Sequence, residues 1–171
     1  MTMQTTTTRT SGTRLLALTA SLAATLGVSA VGGLFTASSV GTWYQDLAKP
    51  AFNPPDGIFA PVWITLYILM AVAAWRVWDK APPGGARSAL TLYGLHLGFN
   101  LGWTALFFGL RWMGAALVEI VVLLALILLV RRRFAAIDVW AGRLLLPYAL
   151  WVAYATALNL AIWSLNGSPI P

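Results

Sequence analysis

The chain has 171 residues, of which 59% are hydrophobic and 9% charged, against roughly 45–50% and about 25% in soluble domains, so an ordinary water-soluble fold is excluded. Its formal net charge of +6 raises nucleic acid as a partner, but the basic residues stand at the ends of apolar runs and not in a patch of their own. A lipid bilayer, and no nucleic acid, is the environment those runs fit.

Residues 1–14 are polar and Thr-rich and read as a disordered N-terminus; residues 15–166 read as one all-α transmembrane domain. Its apolar stretches fall at about 15–38, 58–78, 88–109, 113–130 and 143–164. Each is long enough, at about 1.5 Å per residue, to cross a hydrocarbon core of roughly 30 Å. Period-2 alternation in blocks of about ten residues, the mark of a membrane barrel, is missing. The fold class is therefore a bundle of five transmembrane helices. The first stretch, preceded by Arg9 and Arg14, also has the look of a signal peptide, but it exceeds the usual 7–15-residue apolar core of one and reads as a retained helix.

Nine of the eleven Lys and Arg residues fall on one side of this topology (Arg9, Arg14, Arg76, Lys80, Arg87, Arg131, Arg132, Arg133 and Arg143), leaving Lys49 and Arg111 on the other. The positive-inside rule places the N-terminus in the cytoplasm, and helical spans suit a bacterial inner membrane better than a barrel-built outer one. The run Arg131 to Arg133 serves as a topology anchor or as a contact for anionic lipid.

The first loop, Gly41 to Gly57, is too rich in proline and aromatic residues for a plain linker. Pro50, Pro54 and Pro55 stiffen it, and Trp43, Tyr44 and Phe52 offer apolar rings. It reads as an ordered lid over the bundle mouth, or as an aromatic belt resting in the headgroups. On the second span Trp63, Tyr67 and Met70 share a face. On the third, His96, Asn100, Trp103 and Phe107 are spaced 4, 3 and 4 residues apart; on the fifth, Tyr148, Trp151, Ala155 and Asn159 follow 3, 4 and 4. Polar residues in such stripes belong inside the bundle, either lining a pocket or hydrogen-bonding between helices. Three aromatic faces together wall a flat apolar cavity for a planar ligand, unless the rings fill one another's space. Nine tryptophans in the chain favour the pocket.

Glu119 is the one acid inside a span, a functional candidate by default and otherwise a hydrogen-bonded or protonated packing residue. The chain has no cysteine and a single histidine, His96, which cannot build a multi-histidine site, so no metal is expected. Hydrolase, phosphate-loop and dinucleotide motifs are missing. The glycines of the first span, Gly27, Gly32 and Gly33, suit close helix packing.

The run Trp43-Tyr44, Leu47, Lys49-Pro50, Pro54-Pro55, Trp63, Leu66-Tyr67 and Met70 resembles the first loop and second helix of the TspO/MBR family, the tryptophan-rich sensory proteins related to the mitochondrial translocator protein or peripheral-type benzodiazepine receptor. Phe99-Asn100, Trp103, Phe107-Phe108-Gly109, Trp140-Ala141-Gly142, Pro147-Tyr148, Trp151 and Leu158-Asn159 continue the match, which covers about residues 32–166. The resemblance implies a five-helix bundle, commonly a homodimer, that binds porphyrins such as protoporphyrin IX as ligands, with no cofactor required. It implies pocket positions at Tyr44, Asn100 and Trp103, and at Trp63 and Trp151, which match tryptophans implicated in light-dependent porphyrin breakdown.

The expected site therefore comprises Tyr44, Phe52, Trp63, Tyr67, His96, Asn100, Trp103, Phe107, Tyr148, Trp151 and Asn159, with Trp63 and Trp151 as photochemical candidates. His96 stands where a close bacterial pattern has glutamine. The sterol-recognition segment of animal members is missing after Asn159, and the loose match at Val40, Tyr44 and Lys49 is a weak pointer to sterol. The leading expectation is a receptor that senses, regulates or moves tetrapyrroles; the alternatives are a light-dependent porphyrin-degrading enzyme and a tetrapyrrole or sterol transporter.

Overall fold

The computed structural model describes residues 9–167, and all regular structure within them is helical. Helix α1 spans Ser11–Val40, capped by the Thr10 hydroxyl, which accepts from the Thr13 amide. This start precedes the expected one, so residues 11–14 form a helical turn; residues 1–8 of the expected disordered segment lie outside the described residues. The loop that follows contains the single-turn helix α2 (Trp43–Asp46) and a 3₁₀ turn at Asp56–Ile58, which feeds α3 (Phe59–Lys80).

Helix α4 (Arg87–Thr104) passes into a π turn at Ala105–Gly109, in which the Leu110 amide reaches back to the Ala105 carbonyl at 2.8 Å. The widened turn brings the consecutive rings of Phe107 and Phe108 both into the core, and the Phe108 carbonyl accepts from Ser39 Oγ at 2.6 Å. Helix α5 (Met113–Ala135) runs past the expected end at 130, so Arg131 to Arg133 lie on its final turns, where basic side chains complement the helix dipole. The expected fifth stretch, 143–164, is α7 (Leu146–Asn166) entered from the last residues of a short helix, α6 (Val139–Leu144), which is capped by Asp138 and begins before it. Pro147 sits in the first turn of α7, the place where a missing amide donor leaves no helical bond unmade.

Side-chain contacts between helices give their directions. Ser21 donates to the Ala71 carbonyl and Arg14 pairs with Asp79, so α1 and α3 are antiparallel. Thr25 meets Tyr93 and Ser39 meets Phe108, so α1 and α4 run the same way. Asn100 reaches Tyr148 and Trp103 reaches Asn159, which sets α4 parallel to α7. Helix α5 packs on α4 and α7, whereas α3 and α7 barely touch, which leaves a gap at the loop end of the bundle. The nine basic residues on one side of the sequence topology all lie at the opposite end.

Many large apolar side chains stand on the outside of the bundle: Leu34, Leu150 and Val118 are 74%, 71% and 69% exposed. Side chains of this kind face hydrocarbon, not water. Among the described residues, four helical stretches, α1, α3 with its 3₁₀ turn, α5 and α6–α7, are long and apolar enough to cross a membrane. Helix α4, which carries His96, Asn100, Gly94, Gly98 and Gly102, is less apolar.

Candidate functional site: an aromatic cavity

The gap between α1, α3, the α4 π turn and α7 is a cavity of about 430 Å³. From α3 come Phe59, Trp63 and Tyr67; from α4 and its π turn, Trp103, Thr104, Phe107 and Phe108; from α7, Trp151, Ala155, Leu158, Asn159 and Ile162. Helix α1 supplies the remaining wall with a face of small residues, Ser29, Gly32, Gly33, Thr36 and Ala37, beside Val40. The first loop contributes Tyr44 and Asp56.

The rings in this wall brace one another. Trp103 stacks on Phe107 with centroids 5.4 Å apart, and Tyr44 packs edge-on against Phe59 and Phe107, both at 6.4 Å. Trp63 meets Tyr67 at 5.7 Å and Tyr148 at 6.2 Å; Trp151 meets Phe59 at 6.1 Å. Such contacts fix ring orientation without closing the space between the two sides of the cavity.

Hydrogen bonds behind the rings hold them in place. Trp103 Nε1 donates to Asn159 Oδ1 at 3.1 Å, and Asn159 Nδ2 donates to the Met113 carbonyl at 3.0 Å. The Tyr67 hydroxyl donates to Asn100 Oδ1, while Asn100 Nδ2 donates to the Tyr148 hydroxyl at 2.9 Å. Trp151 Nε1 is buried and has no partner among the described residues.

The first loop is fastened at several points. Tyr44 donates its hydroxyl to Asn53 Oδ1 at 2.9 Å, and Tyr154 donates to the Phe52 carbonyl at 2.6 Å. The Asn166 amide clasps the backbone of Ala48 with two bonds, both 2.9 Å. The Tyr44 phenol is pushed up to about 12, first by burial and then by the negative charge of Asp56.

Of the expected site residues, Tyr44, Trp63, Tyr67, Trp103, Phe107, Trp151 and Asn159 come together on the cavity wall. Asn100 and Tyr148 lie behind it as buried supports of Tyr67 and Trp63. His96 is also buried behind the wall, its Nδ1 bonded to the Tyr93 carbonyl at 2.8 Å and its ring 5.5 Å from Tyr148. Phe52 is 51% exposed and packs on Tyr154 outside the cavity.

Sequence reasoning missed the α1 wall, Phe59, Phe108 and Asp56. A signal for the first was present in the small residues spaced along one face of that helix. Gly33 was expected to permit close packing, yet a Cβ there would meet nothing within 4 Å, and the residue opens onto the cavity. Glu119 lies against Gly102 on α4, both of its carboxylate oxygens buried with no hydrogen-bond partner among the described residues.

The model of the TspO/MBR family matches residues 20–164, nearly all of the bundle. The chain belongs to the TspO/MBR family. It is 40% identical to the tryptophan-rich protein TspO of Archaeoglobus fulgidus over 153 residues, covering 89% of this chain and 98% of that protein. It is 40% identical to the tryptophan-rich sensory protein of Cereibacter sphaeroides over 124 residues, 72% of this chain and 77% of the other. The human translocator protein is 35% identical over 139 residues, 80% and 82% of the two chains. TspO/MBR membership and the apolar exterior together make this an integral membrane protein with a helix-bundle fold.

Proposed function

We propose that this protein is a membrane receptor for porphyrins, binding protoporphyrin IX or a related tetrapyrrole in the aromatic cavity and so regulating or moving it. The observation that carries the reading is the placement of Trp63, Trp103, Trp151 and Tyr44 around one space of about 430 Å³, within the size range of small-molecule sites. Indole faces stack on a planar macrocycle, the small α1 face leaves room for its edge, and the first loop, pinned by Asn166 and Tyr154, acts as the lid. Lys49 stands in the polar groove outside the lid, where a propionate leaving the cavity meets it. The names of the relatives, sensory protein and translocator protein, agree with a binding role.

The test is a titration of purified protein with protoporphyrin IX in the dark, followed by tryptophan quenching, beside the Trp63→Phe/Trp151→Phe variant. Saturable binding that weakens in the variant supports the site. Linear quenching, equal in both, means that porphyrin partitions into the micelle and removes the proposal.

A light-dependent porphyrin breakdown is favoured by one feature, the presence of both Trp63 and Trp151 on the same wall, where each indole can exchange an electron with an excited porphyrin in the presence of oxygen. Product formed under light at an unchanged rate in both single Phe variants dismisses that role. In the membrane, α4 with its π turn crosses between α1 and α5 as the fifth span, and the basic end of the bundle faces the cytoplasm of an inner membrane. A second copy packs on α4 at Gly94 and Gly98, where an added Cβ would meet nothing within 4 Å in the single chain.

A further inference from the structure

The cavity wall holds one formally charged side chain, Asp56. It opens the 3₁₀ turn that leads into α3, and it also borders the polar groove outside the lid, with Gln45, Lys49 and Asn53. Asp56 thus stands at the rim, between an apolar interior and the polar exterior.

No cation among the described residues neutralises it. The ion pairs there join Arg14 to Asp79 and Arg76 to Asp138, both at the far end of the bundle. Lys49, on the same groove, makes no ion pair with it: its ammonium lies 4.9 Å from the Tyr44 ring centre and donates to the Gln45 and Leu47 carbonyls at 3.1 and 3.4 Å. Tyr67, Thr104 and Asn159 on the wall are neutral and engaged within the protein, and the unpartnered Trp151 Nε1 is a neutral donor. Asp56 is exposed on the groove side, and its charge adds to burial in raising the Tyr44 phenol of the wall. A charge at the mouth of a low-dielectric cleft is focused into it, so the charge of an entering ligand is read there.

We propose that Asp56 makes the cavity charge-selective: among planar aromatic ligands it favours those presenting a protonated amine at the lid end and disfavours those presenting a carboxylate there. The inference rests on the cavity being the ligand site, and it names the class of ligand that site prefers. A carboxylate-bearing macrocycle binds with its acids turned outward, past Asp56 and toward Lys49.

The experiment uses three probes that share one ring: pyrenemethanol, pyrenemethylamine and pyrenecarboxylate. They are titrated into full-length protein in phosphatidylcholine nanodiscs, with empty discs subtracted, for the natural chain, Asp56→Asn, Asp56→Glu and Trp103→Ala. The natural chain is expected to bind the amine roughly two- to fivefold tighter than the alcohol, the scale of a partly exposed ion pair, and the carboxylate more weakly than either. Asp56→Asn should bring the three affinities together, and Asp56→Glu should keep their order. An order that survives in Asp56→Asn, or a change equal for all three probes, overturns the charge selection while leaving the site intact. If no probe saturates above empty discs, or the alcohol binds Trp103→Ala as it binds the natural chain, the cavity reading itself falls, and the charge selection with it.

Discussion

Trp103 Nε1 donates to Asn159 Oδ1 across 3.1 Å and so ties α4 to α7 at the cavity wall. The same asparagine donates to the Met113 carbonyl, which brings the start of α5 into the joint. Removing the ring and removing its support therefore have different consequences. Trp103→Ala should weaken porphyrin binding by about 1–3 kcal/mol through lost stacking and burial. Asn159→Leu should lower the stability of the bundle by about 1–3 kcal/mol, because the indole N–H and the Met113 carbonyl lose a buried partner. Dark titration and thermal unfolding in detergent read the two effects separately, and a Trp103→Ala protein with unchanged Kd speaks against stacking on this ring.

The first loop is joined to the end of α7 by the two bonds between Asn166 and Ala48, 118 residues apart in sequence. Asn166→Ala removes both, and opening of the loop should become easier by about 1–2 kcal/mol. Hydrogen exchange at the Ala48 amide should quicken accordingly, with faster ligand release. Unchanged exchange would show that Tyr154 and the prolines suffice to hold the loop.

Gly142 on α6 crosses the end of α5 so closely that an added Cβ would lie 2.6 Å from the Ala135 methyl and 3.0 Å from the backbone carbon that bears it. Backbone has little room to yield, so Gly142→Ala should destabilise the protein by about 1–3 kcal/mol. Adding Ala135→Gly should restore only part of the loss, since it removes the methyl but leaves the backbone of α5 in the way. Unfolding midpoints of the single and double variants test this.

Asp138 accepts from Arg76 Nε and the second guanidinium nitrogen at 2.5 and 3.2 Å while capping α6 through the Ala141 amide. The Arg76 hydrogen bond, against some burial, holds this carboxyl below its ordinary range. A carboxyl depressed by folding contributes stability that is full above its unfolded pKa, about 4, and lost as pH falls through the lower folded value. The natural chain should therefore lose stability on acidification below about pH 4, and Asp138→Asn should show a shallower dependence. Asp138→Ala, which also loses the cap, should cost about 0.5–2 kcal/mol at neutral pH from that source alone. Equal acid slopes in the natural chain and Asp138→Asn would refute the assignment.

Helical type, apolar length and the segregation of basic residues were legible because they follow from local composition and period. The stripes on the second, third and fifth stretches were legible for the same reason, and seven of their residues meet on one wall with Tyr44 of the first loop. His96 and Asn100 show where period stops informing: they share the face of Trp103, yet a helix turns enough over one or two turns to place them behind the wall, bonded to Tyr93, Tyr67 and Tyr148. The break between α6 and α7 was signalled by Pro147 and the start of α6 by its cap Asp138, but a continuous hydrophobic run conceals such boundaries.

The sequence by itself determined a membrane bundle, its ends and the aromatic faces that must turn inward, because polarity and helical period are properties of neighbouring residues. The tertiary structure alone decided which of those faces border empty space, since a cavity is a relation among helices far apart in the chain. It is the meeting of α3 and α7 through ring edges and little backbone, the π turn that aims Phe107 and Phe108 inward together, and the small face of α1 that leave the volume open. The same relation puts Asp56, an unremarked loop acid in the sequence, at the rim of an apolar cavity.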